Sequence, residues 1–313
     1  MSPREQAMVP EVAFESYYGR QILKTPTWKT PDVPLYLFLG GLAGASSVLA
    51  EGAALTGRPD LERVARLAAA GGAAAGTVAL VHDLGRPERF LHMLRVFKPT
   101  SPLSVGSFIL APFSGLSAAA AASLVSGRLP RLGRLAGVGA AAFGPPLATY
   151  TAALISNPAV PAWHEAHREL PYVFAGSGAT AAGGLAMVFT PLGQAGPARK
   201  MAVAGAAMEI VAAESLLRRV GLVGEPYRQG RAGRLITTAR TMTAVAAGVT
   251  FLAGGRSRTV SVLAGATCVA ASAMTRFGVF EAGLASARDP KYVVVPQRER
   301  LAAREAARTP AAP

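Results

Sequence analysis

The sequence is poor in the residues that hold metals and redox groups. Of its 313 residues, one is a cysteine, Cys268, and four are histidines. A single cysteine can form no disulfide within the chain and cannot build an iron–sulfur cluster or a cysteine zinc site. A transmembrane di-haem cytochrome b needs four axial ligands on its helices, but His92, His164 and His167 lie in predicted loops and only His82 lies near a predicted span. We therefore expect no haem and no iron–sulfur cluster in this chain.

Charged and aromatic side chains are also scarce. Only 16% of the residues are charged and 7% are aromatic, whereas about 25% are charged in a typical soluble domain. Alanine, leucine, valine and glycine dominate instead, which is typical of closely packed membrane helices. The net charge of +14 could indicate nucleic acid, but the lysines and arginines lie at the ends of the apolar segments, as membrane helices require. We expect membrane lipid around the protein and no nucleic-acid partner.

Long apolar runs divide the chain. A helix needs about 20 apolar residues to cross the hydrocarbon core, and eight segments have that length: 34–56, 61–84, 105–126, 135–156, 172–192, 198–217, 235–254 and 259–283. Glycine, proline and arginine interrupt the chain between them. The polar first thirty or so residues contain no apolar core of a signal peptide, so we expect no cleavable signal. The pattern predicts an all-α integral membrane protein with eight transmembrane helices.

The predicted spans have two unlike ends. An even number of spans places both termini on one side of the membrane, here called the terminal face, which also receives the longer connections 85–104, 157–171 and 218–234. The opposite, short-turn face has only brief turns. This asymmetry suggests that the terminal face docks a partner, although chance variation in loop length is the alternative. The terminal face has the larger total number of Lys and Arg residues, which places that face in the cytoplasm. The short turns have the higher density of these residues, which places the short-turn face in the cytoplasm and the terminal face outside. The charge rule therefore leaves the orientation open.

Four residues that could carry chemistry fall near the terminal face. Tyr36 opens the first span, His82 and Asp83 close the second, and Tyr150 approaches the same face along the fourth. Ionisable groups in membrane spans are costly and therefore candidates for function. A histidine, a carboxylate and two phenols suit a quinone head group, which needs hydrogen-bond donors to its oxygens and a group that passes protons. The alternative is an interfacial ion pair between Asp83 and an arginine of the following loop.

Three glutamates are candidates for a proton path. Glu51 lies late in the first span, toward the short-turn face. Glu209 lies near the middle of the sixth span with no obvious partner in sequence, and it could be a protonated carboxyl or a hydrogen-bonded packing residue. Glu214 lies toward the terminal face, where arginines of later spans can pair with it.

Several motifs carry a resemblance to a known family. They are 17–20 (Tyr-Tyr-Gly-Arg) with Trp28, 36–44 at the start of the first span, 83–90 (Asp-Leu-Gly-Arg-Pro-Glu-Arg-Phe), 95–107 and the tail 289–294. The block from 83 to 107 is the longest of these. The chain resembles the NrfD/polysulfide reductase membrane-subunit family, collinearly over nearly its whole length.

The resemblance implies an architecture and partners. Members have eight helices in two four-helix bundles without haem, and they anchor a molybdopterin catalytic subunit through a ferredoxin-like iron–sulfur subunit. The corresponding division here is an N-terminal segment 1–33 on the docking face, a first, quinone-binding bundle 34–156, a linker 157–171, a second bundle 172–284 and a tail 285–313. Menaquinone or ubiquinone is the implied cofactor. Basic residues after the second span would dock the partner, namely Arg86, Arg89, Arg95 and Lys98.

The resemblance also bears on the site residues. Asp83 matches the acidic residue at the end of the family's second helix, and Tyr150 is matched with its quinone-contacting tyrosine. Tyr36 lies where other members place polar quinone ligands, but this chain has no histidine or asparagine there. Catalytic subunits of the family are often exported folded, which favours a terminal face outside the cytoplasm.

These observations predict an anchor and quinone-reactive subunit of a respiratory oxidoreductase in the bacterial cytoplasmic membrane, inactive without its partners. The alanine- and arginine-rich composition suggests a bacterium with GC-rich DNA, in which a formate dehydrogenase is our first candidate partner, with polysulfide, thiosulfate and nitrite systems as rivals. Two other classes remain open: a structural anchor without quinone chemistry, and a transporter or channel, for which Pro145-Pro146 is the only hint of a broken helix.

Overall fold

The structure, a computed structural model, describes residues 22–86, 88–156 and 159–308. Within these ranges the chain is helical and contains no strand. In chain order the helices are α1 Asp32–Leu55, α2 Pro59–Asp83, α3 Glu88–Met93, α4 Pro102–Ser126, α5 Pro130–Ser156, α6 Pro161–Glu165, α7 Leu170–Phe189, α8 Gly196–Arg219, α9 Gly230–Ala253, α10 Arg258–Arg288 and α11 Lys291–Arg308, with a 3₁₀ helix at Gly221–Tyr227.

Serine, proline and glycine residues mark several ends of the long helices. The Ser101 side chain accepts a hydrogen bond from the backbone N–H of Ser104 at the start of α4, and Ser257 caps α10 in the same way. Proline occupies the first turn of several helices, where its missing N–H costs nothing. Gly57 and Gly127 follow α1 and α4 with φ of 64° and 67°, a left-handed conformation that favours glycine. The predicted turn signals are thus the observed helix ends.

Among the described residues, seven helices are long and apolar enough to cross a membrane: α1, α2, α4, α5, α7, α9 and α10. The protein is therefore a multi-pass membrane protein. The remaining predicted span, 198–217, is also helical, as α8, but it is not among the seven. Glu209 and Glu214 interrupt its apolar run, Arg199 and Lys200 lie in its first residues, and Arg218 and Arg219 follow it directly. By length and composition, then, seven rather than eight of the predicted spans qualify.

Two stretches predicted as linker and tail contain helices. The linker 157–171 contains α6, and beyond 285 α10 continues to Arg288 and α11 follows. Trp163 of α6 is fully buried and its Nε1 donates to the Val279 carbonyl oxygen at 2.8 Å. Its ring stacks on Trp28, with centroids 5.5 Å apart, and contacts Phe280 at the same distance. These aromatic contacts fasten the segment before α1 to α10 at the terminal face.

Helix α1 lies at the centre of the assembly. It packs against α2 and α5 on one side and against α7 and α10 on the other. Helix α4 packs on α5 and α2, and α7, α8, α9 and α10 pack on one another. Gly44 meets Gly144 of α5, and Gly41 meets Gly178 of α7. A Cβ at Gly44, Gly144 or Gly178 would collide with the facing backbone, whereas one at Gly41 would meet the Arg276 side chain. Small residues of this kind let membrane helices approach each other.

Candidate functional site

Two buried tyrosines face each other among α1, α4 and α5. Tyr36 lies one turn into α1 and Tyr150 lies near the end of α5, and their rings meet edge to face with centroids 6.4 Å apart. Gly106 of α4 packs against the Tyr150 ring. The Tyr36 hydroxyl is buried and has no hydrogen-bond partner among the described residues. Because a buried hydroxyl without a partner is costly, it is a donor ready for a ligand.

The last turn of α2 carries a polar cluster at the surface. His82 Nδ1 lies 2.7 Å from Asp32 Oδ2 at the start of α1, and Asp83 Oδ1 accepts a hydrogen bond of 2.9 Å from the backbone N–H of Lys29. The Lys29 ammonium group donates to the His82 carbonyl oxygen at 3.2 Å. The segment before α1 therefore crosses the end of α2. The His82 side chain is 72% exposed, so it can exchange protons with water or with a ligand.

A cleft of about 470 Å³ opens beside this cluster. Its lining combines the polar Lys29 and His82 with Thr77, Val78, Val81 and Gly85. Val78 is 70% exposed on the outer surface of a membrane-crossing helix. Apolar walls with a few polar groups at one end are typical of ligand pockets.

The four residues predicted to lie together thus form two groups. Tyr36 and Tyr150 make the enclosed tyrosine pair, and His82 and Asp83 belong to the surface cluster. Among the described residues, no hydrogen bond or ion pair joins one group to the other. The arrangement can offer a phenol from inside, and an imidazole and an ammonium group from the terminal face.

The loop after α2 presents its basic residues to solvent. The hydroxyl of Ser104 accepts from the Lys98 backbone N–H at 3.0 Å and donates to the Val96 carbonyl oxygen at 3.2 Å, which shapes the end of the loop. All four residues predicted to dock a partner are exposed: Arg86, Arg89, Arg95 and Lys98.

Glu51 has a partner that the sequence did not reveal. Its Oε1 lies 2.8 Å from Arg66 Nη2, and Arg66 Nε lies 2.8 Å from Glu62 Oε1. Arg66 is only 5% exposed, so this is a buried ion pair toward the short-turn end of α1 and α2. Gly137 of α5 packs on it, because a Cβ there would collide with the Arg66 and Glu51 side chains.

Glu209 lies in a buried polar cluster with residues of α10. Its Oε1 accepts a hydrogen bond of 2.7 Å from the Thr275 hydroxyl. Arg276 is fully buried; its Nη2 donates to the Phe174 carbonyl oxygen at 2.7 Å, and its guanidinium lies 3.7 Å from the centre of the Phe174 ring. The same guanidinium reaches Gly41 of α1, where a Cβ would meet Nη2. A charged group thus occupies the contact between α1, α7 and α10.

Ion pairs at the terminal face fix the loops of the second half. Glu214 Oε2 lies 3.1 Å from Arg240 Nη1, so the predicted pairing with an arginine of a later helix is present. The Arg219 guanidinium donates to both carboxylate oxygens of Glu169 at 2.7 Å and holds the pKa of that carboxyl below its usual range. Beyond α10, Lys291 lies 2.7 Å from Glu225 and, through its hydrogen bond, lowers the pKa of Glu225.

Several partners escaped sequence reasoning because they come from other helices. Asp32 and Lys29 flank the start of α1, and their pairing with the end of α2 follows only once both helix ends are placed at one face. Arg66 for Glu51 and Thr275 for Glu209 depend on helix rotation. Their common signal is a polar residue within an apolar helix, which predicts burial but not the partner.

A known protein family matches the part of the chain that contains this site. A family model described as "Polysulphide reductase, NrfD" matches residues 23–192, which is 170 of the 313 residues. The match spans α1 to α7, including the tyrosine pair, the surface cluster and the cleft. The motif at 289–294 lies outside it, and the motif at 17–20 lies outside both the match and the described residues. No curated protein matches the chain significantly.

Proposed function

Because this chain belongs to the NrfD (polysulphide reductase) family, we propose that it is the quinone-reactive membrane subunit of a bacterial respiratory oxidoreductase. Proteins of this family are membrane subunits of polysulfide-reductase-like complexes and partner with iron–sulfur and molybdopterin subunits in general. In this proposal electrons pass between an iron–sulfur cluster of the partner and membrane quinone. The chain supplies the binding cleft and the proton route.

The proposed membrane architecture has eight spans in two four-helix bundles. Helix α8 has 24 residues, about 36 Å at 1.5 Å per residue, which exceeds the roughly 30 Å of the hydrocarbon core. Its central Glu209 points into the assembly, and its other charges lie toward the two ends, where they reach the interfaces. The first bundle then comprises α1, α2, α4 and α5, within 34–156, and the second comprises α7 to α10, within 172–284.

The observation that carries the quinone assignment is the cleft at the end of α2. A quinone supplies two-electron, two-proton chemistry at its carbonyl oxygens when bound. Lys29 and His82 place an ammonium group and an imidazole on the wall of this cleft, and Val78 and Val81 give it an apolar side. Asp32 holds the His82 imidazole and can pass its proton. Tyr36 does not line the cleft; in this proposal its enclosed hydroxyl is the second donor, which a bound head group would have to reach. Asp83 positions Lys29 through the Lys29 backbone N–H, and Tyr150 packs against the Tyr36 ring.

The exposed basic loop between α2 and α4 is the proposed docking surface for the ferredoxin-like subunit. Its residues Arg86, Arg89, Arg95 and Lys98 present positive charge on the face that carries the cleft, so a docked cluster would lie near the quinone. A formate dehydrogenase is our first candidate for the molybdopterin subunit. We place the terminal face outside the cytoplasm, which puts the dense arginine turns inside.

Proton transfer accompanies quinone chemistry, and we assign its path to glutamates. Glu209 and Glu214 lie on one helix, five residues apart. In this proposal protons move between Glu209 at mid-membrane and Glu214 nearer the terminal face. Glu51 belongs to the other bundle and is already paired with Arg66. Its part in a path would require that pair to open.

The test is a bulky substitution at the cleft. Val78→Trp fills the opening, whereas Val211→Trp changes a valine of α8 that is equally exposed, at 70%, but does not line the cleft. In the co-expressed complex, Val78→Trp should slow quinone reduction at least several-fold and leave electron transfer to a soluble dye intact. Val211→Trp should change neither. Equal quinone turnover in both variants would contradict the assignment and favour a purely structural anchor, in which the Asp32 and Lys29 contacts only cap α2.

A further inference from the structure

The second group of helices encloses a cavity that the quinone assignment does not use. It has a volume of about 50 Å³ and lies among α7, α8, α9 and α10. Leu170 and Tyr227 line it near the terminal face, and Glu209, Thr243 and Thr275 line it deeper in the membrane. The family match ends before most of these residues.

Two buried polar atoms in this lining have no partner. Glu209 is 4% exposed, and its Oε2 has no hydrogen-bond partner in the part of the chain that the structure describes. Thr243 is fully buried, and its Oγ1 is likewise unpartnered within the described ranges. They come from different helices, α8 and α9, and both line the same space. Leaving such groups unsatisfied away from water is unfavourable.

The size of the cavity suits water, and Glu209, Thr243 and Thr275 supply polar partners in a lining that is otherwise mostly apolar. A cavity needs roughly 10–15 Å³ to hold one water molecule, together with two to four polar partners, so this volume accommodates about three to five. Glu209 Oε2, the Thr243 hydroxyl and the Thr275 hydroxyl can share such waters. The space is too small for a quinone head group, and the adjacent Arg276 cation opposes a bound metal cation.

We propose that this cavity holds a short chain of water molecules that connects the Glu209 carboxyl to the terminal face, so that Glu209 exchanges its proton with water on that side only. This deepens the proton path of the proposed function and rests on it for its role in turnover. The presence of the water itself depends only on the cavity and the two unpartnered atoms.

The depth of the residues gives the path a direction. Arg219 ends α8 ten residues after Glu209, about 15 Å along the axis. Thr243 lies thirteen residues into α9, about 20 Å from the same face. Toward the short-turn face the helices close: Gly184 of α7 packs so tightly on Gly265 and Cys268 of α10 that a Cβ would collide with both. The cavity therefore leads to one face.

Charged groups surround the path from three helices. Arg240 of α9 lines the cavity and pairs with Glu214 of α8 at 3.1 Å, which places an ion pair between the terminal face and Glu209. Arg276 of α10 interacts electrostatically with the Glu209 carboxyl. Its Nε and Nη1 have no hydrogen-bond partner among the described residues. A proton that reaches Glu209 along the cavity therefore arrives beside a fixed positive charge, which favours its return to the same side.

Thiol accessibility tests the proposal, with silver ion as a water-sized probe. Thr243→Cys is compared with Thr250→Cys in a chain whose native cysteine is removed by Cys268→Ala. Thr250 is the matched control, because it lies two turns further along α9, is also buried with an unpartnered hydroxyl, and does not line the cavity. The full chain is co-expressed with its partners, and the membranes are prepared as sealed vesicles of both orientations. A tag at the C-terminus identifies the terminal face.

Silver applied at the terminal face should react with the thiol of Thr243→Cys at least about tenfold faster than with the thiol of Thr250→Cys, since only the first thiol contacts water. In the unsubstituted chain, the native Cys268, on the closed side, should react as slowly as the control. Equal rates at the two positions, or faster blocking from the opposite face, would overturn the proposal. Quinone reduction by the same vesicles separates the two hypotheses. A fast silver reaction at Thr243→Cys without quinone turnover would refute the proposed function and keep the water path. Quinone turnover without a fast silver reaction would refute the water path and keep the proposed function.

Discussion

Replacement of Arg66 tests whether the buried ion pair with Glu51 holds α1 against α2. The Arg66 side chain is 5% exposed and those of Glu51 and Glu62 are 12% and 21% exposed. Arg66→Met leaves Glu51 buried without its partner, and breaking a buried pair in this way costs about 3–5 kcal/mol. Glu51→Gln should cost less, about 1.5–3 kcal/mol, because Arg66 keeps Glu62 and loses only one charge-assisted hydrogen bond.

The double variant separates the pair from its surroundings. When Arg66→Met is combined with Glu51→Met, the buried Glu51 carboxylate is gone and only the more exposed Glu62 loses Arg66; apolar replacement of both members of a buried pair is often neutral. We therefore expect the double variant to be more stable than Arg66→Met alone. Arg218→Met is the matched control, because Arg218 is 78% exposed beside Glu214 and surface pairs contribute less than about 1 kcal/mol.

The assay is the free energy of unfolding of the full chain in mixed micelles, measured by titration with a denaturing detergent. If Arg66→Met costs no more than Arg218→Met, the buried pair does not stabilise the helix contact. If the double variant is as unstable as the single one, the loss comes from packing around the Arg66 stem rather than from the unpaired carboxylate.

Three further outcomes are expected. Asp83→Asn and Tyr150→Phe should slow quinone turnover in the co-purified complex without changing its stability or dye reduction, since each keeps the shape of its side chain; normal turnover in both would remove these residues from the site. Gly106→Val should destabilise the chain by about 1–3 kcal/mol through overpacking against Tyr150, whereas Gly115→Val on the same helix meets open space and should be nearly neutral in thermal unfolding. The folded-state pKa of Glu169 lies below its ordinary value of about 4.5. The stabilisation by its ion pair is therefore complete above that pH and is lost as pH falls through the lower folded-state pKa. Glu169→Gln should weaken the pH dependence of the unfolding midpoint in this acid window, and an unchanged pH dependence would refute the pairing.

The sequence predicts the helices of this protein well because their signals are local. Apolar length defines the spans, and turns such as the one at Gly127 end them, since a left-handed residue needs no tertiary context. The same local criterion is ambiguous for α8, where Glu209 and Glu214 interrupt the apolar run. Whether a membrane helix tolerates them depends on what the other helices offer, as Thr275 and Arg240 do here.

The candidate site is predicted only in part. Counting residues along the helices correctly places Tyr36 and Tyr150 at one depth, and the structure brings their rings together. Helix rotation is not contained in such a count, so the outward direction of His82 and its bond to Asp32 could not be foreseen. Helix α6 was missed because a five-residue helix around a buried tryptophan has no periodicity of its own.

The central position of α1 has a consequence for biogenesis. In its apolar stretch 83% of the residues are buried, against 22% in α9, yet α1 leaves the ribosome before its neighbours α7 and α10. Until they arrive, the face that carries Gly41 has only lipid against it. Newly inserted α1 must therefore wait, held by α2 and α5, for the completion of translation. A nascent chain halted before α7 would expose to cellular quality control the surface that the mature protein hides most completely.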